Sequence, residues 1–429
     1  MGSSHSSFDA SVRLRRQLFA GVIALGLVAV AGVILWWPTG EAPALYGEDG
    51  APDFVDATVT EARPGDCPGL EFEDVTMPCQ QITARVTTGP NTGDLAEVSI
   101  YITEQSVPTL EVDQKIVLRS FQAPGQDAQY SFAELQRSPQ LWLLIAAFAL
   151  VVVLFGRWHG LRALLGLGAS LWLLVAFLIP SLLRGNPPVG VAIAGGFVIA
   201  GVAVYVAHGA RITTTVAFLG TVTSVVVIAV LAALAVSFAN LTGLDEGAAG
   251  TLSLSADTID LRGLLIAGIV VGALGVLDDV TVTQVAAVVE LRKANPELRG
   301  FELYRSAIRI GRDHVAAVVN TLVLAYAGAS LPLLLFFAQS DTPFARVATS
   351  QIVAVEIVRT VVGSIGLVLS VPVTTALAAA VLVVGDDDDD NDNDNDNEGH
   401  PAATELPGHG STEARWENFS PREDDDGFG

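Results

Sequence analysis

Two adjacent aspartates, Asp278 and Asp279, sit in the stretch GALGVLDDVTVTQ (272–284), inside a run from Leu264 to Val289 made almost wholly of Val, Leu, Ile, Ala and Gly. A carboxylate held in apolar surroundings can take up a proton or a cation. Within a membrane span it faces the bundle interior or a wet cavity, because exposure to lipid is costly. Arg262 and Arg292-Lys293 bracket the run. At about 1.5 Å per residue, Asp278 lies roughly 24 Å from Arg262 and roughly 21 Å from Arg292, against a hydrocarbon layer about 30 Å thick. Gly268, Gly272, Gly275, Asp279, Thr283, Ala286 and Glu290 recur at spacings of three or four, so they share one helix face. Small residues on a span invite close helix packing, so this face is expected to turn inward. Asp278 and Asp279 stand about 100° apart on a helix and do not form a facing carboxylate dyad by themselves.

Other polar residues fall in apolar runs. In QIVAVEIVRTVVGSIG, Glu356 and Arg359 are three residues apart and can pair on a helix. Counted from Ser350, Glu356 lies roughly 9 Å deep, which suits either an interhelical lock or a gate. Asn320, in DHVAAVVNTLVLAYAGAS, is expected near the depth of Asp279 and in reach of it. Thr281, Thr283 and Gln284 continue the polar character beyond the aspartates. Together Asp278, Asp279, Thr281, Thr283, Gln284, Asn320, Glu356 and Arg359 form the expected ion or substrate pathway. No catalytic residue, metal centre or cofactor is expected.

The chain that positions them has 429 residues, 51% hydrophobic and 16% charged, with the apolar residues in blocks. This is the composition of a polytopic α-helical membrane protein. The net charge of −23 is concentrated in two segments. Residues 38–139 carry 17 acids against 5 bases, and residues 386–429 carry 16 against 2. With its few bases outside those segments spread over the loops, the chain lacks the clustered Lys and Arg that nucleic acid would require.

About eight spans are expected: an anchor ending in Trp36-Trp37-Pro38, then 140–156, 161–180, 187–207, 212–239, 263–289, 315–338 and 350–384. The anchor reads as a retained signal-anchor helix within residues 1–37, because no small-residue cleavage site follows it. With the N-terminus inside, twelve Arg and Lys fall on the cytoplasmic side and three, Arg184, Arg262 and Arg346, in the short outer loops. Both termini are therefore expected in the cytoplasm, with the chain in the plasma membrane.

Residues 38–139 then lie outside. Alternating segments at 57–60, 81–88, 96–103 and 115–119, with turns such as Pro90-Asn-Thr-Gly93, predict about five short strands in a small all-β domain, OB-like or a sandwich. Cys67 and Cys79, the two cysteines of the chain, both fall there and are expected to form a disulfide. A metal pair lacks a nearby His and has no zinc-ribbon spacing. The loop 290–313 is amphipathic after Pro296, and its basic face is expected on anionic head groups. The segment 386–429, beginning DDDDDNDNDNDN, is expected to be a disordered acidic tail.

GALGVLDDVTVTQ, RDHVAAVVNTLVLAYAGASLPLLL and EIVRTVVGSIGLVLSVPVTTALAA together resemble the YibE/F-like membrane proteins in their actinobacterial form. The resemblance covers about residues 135–385. It implies a multi-pass membrane protein or permease, 140–385 forming a seven-helix membrane domain, and leaves the substrate open.

Two functions compete. The first is a secondary transporter whose intramembrane carboxylates bind a cation or proton, with an ion or small molecule as substrate. The second is a non-transporting scaffold or envelope sensor. An intramembrane protease fits worse, since GALGVLDD lacks GxGD spacing and no HExxH occurs. The lipid bilayer is the expected partner, nucleic acid is not, and the oligomeric state is not legible.

Overall fold

The computed structural model of the chain describes residues 12–40, 53–68, 76–101, 109–122, 127–243, 259–339 and 343–395. Its first helix, α1 (Val12–Leu35), precedes five strands: β1 (Asp53–Pro68), β2 (Thr76–Val86), β3 (Leu95–Tyr101), β4 (Lys115–Phe121) and β5 (Gln129–Leu135). All neighbouring strands pair antiparallel, in the order β3-β2-β1-β4-β5. The sheet curls until β3 and β5, at its two ends, approach one another.

Alternation produces this sheet. Every second residue of β3 and β4 is buried, so Ala96, Val98, Ile100, Ile116 and Leu118 meet Val59, Ile82 and Ala84 from β1 and β2 in one core. The buried Gln80 side chain acts as a substitute strand, donating to the Leu110 carbonyl and accepting from the Leu110 amide, both at 2.8 Å. Four strands coincide with the alternating segments of the sequence. The fifth, β5, has no such alternation of buried positions and was not singled out. Cys79 is buried and disulfide-bonded. Its expected partner Cys67 has its backbone on β1 opposite Met77, and its side chain lies outside the described residues.

The helices follow: α2 (Ser138–Leu173), a π-helical turn over Leu174–Leu178, α3 (Ile179–Leu183), α4 (Pro188–His208), α5 (Ile212–Phe238), α6 (Leu261–Ala294), α7 (Gly300–Ala329), α8 (Leu331–Gln339), α9 (Phe344–Ala348) and α10 (Gln351–Asn395). Among the described residues six helical stretches are long and apolar enough to cross a membrane, or seven if the bent pair α7–α8 counts as one. Where two spans were expected between 140 and 180, the helical stretch Ser138–Leu183 runs for 46 residues, which would be about 69 Å if straight. It is not straight. Arg157 takes φ 50° and ψ −128°, and Gly160 sits against the Val152 carbonyl, although eight residues of straight helix would separate them by about 12 Å.

The core of the bundle is α4, α5, α6 and α10, joined through Phe197, Phe218, Ile228, Ile269, Leu277 and Leu367. Glycines permit the closest approaches: Gly366 lies against Ile228, Gly220 against Thr374, and Gly196 against Leu274. The anchor belongs to this bundle. Gly32 of α1 abuts Ala194, Trp37 stacks on Phe177 at 5.9 Å, and the Ser181 hydroxyl donates to the Trp36 carbonyl at 2.9 Å.

Most of the amphipathic loop 290–313 is helical, and its apolar stripe Leu303, Ala307, Gly311, Val315 is buried against the bundle. Arg305, Arg309 and Arg312 are exposed on the other side. The helical pattern expected after Pro296 is therefore present, with its apolar side packed and its basic side exposed. The backbone of α10 also continues to Asn395, ten residues into the acidic segment, since a helix already nucleated extends at little cost. The remainder of that segment lies outside the described residues. α7 and α8 are inclined by 58°, with Pro332 in the first turn of α8.

Candidate functional site

α6 begins where Asp260 Oδ1 accepts the Gly263 amide at 3.0 Å, and it then presents two opposed faces. The first is packed and includes Leu277, Val280, Thr281, Gln284 and Val288. On it the Thr281 hydroxyl meets the Thr221 hydroxyl of α5 at 2.7 Å. Gln284 Nε2 donates to the Ala307 carbonyl of α7 at 3.2 Å and to Thr375 Oγ1 of α10 at 2.8 Å. These two residues, expected in a pathway, instead join helices.

The second face carries Gly268, Gly272, Gly275, Asp279, Thr283, Ala286 and Glu290, and every one of them is exposed. The expectation that this small-residue face turns inward is therefore corrected. Larger side chains on the opposite face bury more apolar area, and the glycines that admit close packing on other helices leave α6 free to turn its own outward. Gly268 and Gly275 have open space where a Cβ would stand.

What the open face borders is a cavity of about 370 Å³ between α2, α4 and α6. Asp278 and Asp279 line it together with Ser170, Ala203, His208 and Gly275. Asp278 is half-buried, and its Oδ1 is buried without a hydrogen-bond partner. Asp279 is exposed, its backbone carbonyl accepting from the Thr283 hydroxyl at 2.7 Å. A second cavity of about 330 Å³ adjoins at the His208 end of α4, lined by His159, Arg162, His208, Arg211, Glu290 and Lys293 among others. The two share Ala207, His208 and Val282 in their walls, so the aspartate chamber adjoins a polar vestibule.

The remaining expected residues are elsewhere. Asn320 is exposed on α7 and makes no hydrogen bond to either aspartate. Arg359 Nη1 donates to Glu356 Oε1 at 2.6 Å, so the pair forms, with both side chains about 30% exposed. Glu356 borders a third cavity of about 330 Å³ among Tyr326, Ser330 and Thr360, mostly apolar. Tyr326 Oη reaches back to Gly272 of α6, on the same exposed face as Asp279. His159, Arg162, His208 and Arg211 had counted only as markers of topology or not at all, because in sequence they lie in two short turns some fifty residues apart.

The residues that line both chambers fall within residues 144–383, which match the YibE/F-like protein family over more than half of the chain. The chain belongs to the YibE/F-like family. No curated protein and no solved structure matches it. In this YibE/F-like protein the match starts within α2, so α1 and the five-stranded sheet stand outside the family region.

Proposed function

We propose that this YibE/F-like protein is a secondary transporter or permease in which Asp278 and Asp279 bind a proton or a cation. One observation carries the reading: a carboxylate oxygen of Asp278 is buried and unpartnered beside a chamber that adjoins a polar vestibule. A group so placed is costly to the fold, and ion pathways are where spans retain such groups. The Glu356–Arg359 pair would serve as a barrier towards the other surface. The reading involves no catalysis. Its partners are the lipid bilayer and an ion or small solute.

The proposal includes an arrangement in the membrane. Reversal at Arg157 turns Ser138–Leu183 into two spans, and with α1, α4, α5, α6, the α7–α8 pair and α10 the count becomes eight. The charge asymmetry of the loops supports a plasma-membrane arrangement with the vestibule and both termini on the cytoplasmic side. The sheet then lies outside. Its strand order, with β3 beside β5, suits a five-stranded OB-like barrel.

Reconstitution in liposomes tests the function. Imposed pH gradients and a panel of ions should reveal flux that Asp278→Asn removes while the protein remains folded in detergent. Undiminished flux in both Asp278→Asn and Asp279→Asn would end the role assigned to the carboxylates. Absence of flux in the wild type, combined with a higher Tm for Asp278→Asn, would favour the scaffold or sensor instead.

A further inference from the structure

We propose that the vestibule beside the aspartates is a binding site for an oxyanion of the phosphate type. Five of the six ionisable side chains lining it are basic: His159, Arg162, His208, Arg211 and Lys293. The sixth, Glu290, is already held by Lys293 Nζ at 2.8 Å. The cavity, about 330 Å³ in volume, exceeds a bare phosphate and admits a phosphomonoester or a phospholipid head group.

Uncharged donors converge on the same space. α5 begins at Ile212 directly after Arg211, an extended residue whose side chain does not cap the helix. The amides of Ile212, Thr213 and Thr214 have no acceptor within the helix, and such a 27-residue helix directs its positive end at the vestibule. Thr214 supplies the second, independent sign. It is 4% exposed and lines the cavity, and its hydroxyl has no hydrogen-bond partner among the described residues. The adjacent Thr215 differs, because its hydroxyl donates to the Arg211 carbonyl at 2.9 Å and meets the Tyr205 hydroxyl at 3.3 Å. The Thr214 hydroxyl faces the cavity and is free to donate to an oxyanion there. Guanidinium groups and helix amides are the donors that hold phosphate oxygens most strongly.

The basic groups draw an anion into this vestibule. Asp278 and Asp279 stand at the next chamber and repel it. The anion therefore occupies the mouth and not the aspartate chamber. This inference rests on the vestibule alone and holds whether or not the aspartates support flux.

Equilibrium binding to the full-length protein tests it, with two probes. Inorganic phosphate is titrated calorimetrically onto protein in phosphatidylcholine nanodiscs, and phosphatidylglycerol retention is measured by native mass spectrometry after release from mixed vesicles. Saturable binding of either probe is expected, and the probe that binds tells a solute from a lipid head group. Arg211→Gln and Thr214→Val should each weaken binding about tenfold, in the range of one lost charge-assisted or buried hydrogen bond. Thr214→Ser should retain it. Neither probe binding saturably, or binding indifferent to both Arg211→Gln and Thr214→Val at unchanged Tm, would overturn the site.

Discussion

The Thr281 hydroxyl lies 2.7 Å from the Thr221 hydroxyl, tying α6 to α5 on the packed side of the helix that carries the aspartates. One hydroxyl donates to the other, and the one that accepts keeps its own proton for a carbonyl of its helix, Ala217 for Thr221 or Asp278 for Thr281, both at 3.1 Å. Replacing one by valine leaves the other with its local partner, so Thr221→Val and Thr281→Val should each cost about 0.5–1.5 kcal/mol. A double-mutant cycle of unfolding in detergent should return a coupling of roughly 0.6 kcal/mol. Strict additivity would remove the link.

Gln284 should matter more to stability than either aspartate. Its amide is buried and bonds α7 and α10 together, so Gln284→Leu leaves the Ala307 carbonyl without that donor and should cost about 1–3 kcal/mol. Asp279→Asn, at an exposed position, should stay within about 0.5 kcal/mol of the wild type. Thermal unfolding of the two variants side by side checks the order, and equal losses would contradict it.

The turn at Arg157 distinguishes two spans from one long helix. Labelling of single cysteines with an impermeant thiol reagent should modify Arg157→Cys and Ala210→Cys from the same side, and Asn186→Cys from the opposite side. Protection of Arg157→Cys from both sides would place it in the bilayer and reduce the proposed count.

Cys79 is disulfide-bonded, and the β1–β2 register of Cys67 with Met77 and Gly65 with Cys79 puts both cysteines on one face of the sheet. We expect the two to be bonded to each other. Cys79→Ser should therefore expose Cys67 to alkylation without reductant and lower the stability of the sheet by about 3 kcal/mol. Full labelling of both cysteines in the unreduced wild type would exclude the pair.

Local pattern made much of this protein legible. Alternation in Leu95–Tyr101 and Lys115–Phe121 identifies strands because side-chain direction repeats every second residue whatever the sheet's topology. The long apolar runs identify spans because a backbone in lipid must satisfy its own hydrogen bonds within the helix. Glu356 and Arg359 pair as their spacing requires, since both lie on one helix. The motifs around Asp278, Asn320 and Glu356 resembled the YibE/F-like family, and the match over residues 144–383 shows that membership.

Tertiary structure decided which face of α6 does what. A row of glycines is equally compatible with close packing and with lining an open chamber, and only the neighbours that fill or leave the adjoining space choose between them. Here Thr221, Ala307 and Thr375 occupy the Thr281–Gln284 side, so the glycine and Asp279 side is left to the chamber. The vestibule was hidden for the same reason. His159, Arg211 and Lys293 are isolated charges at three helix ends in the sequence, and they become one basic site only when the folded bundle brings those ends together.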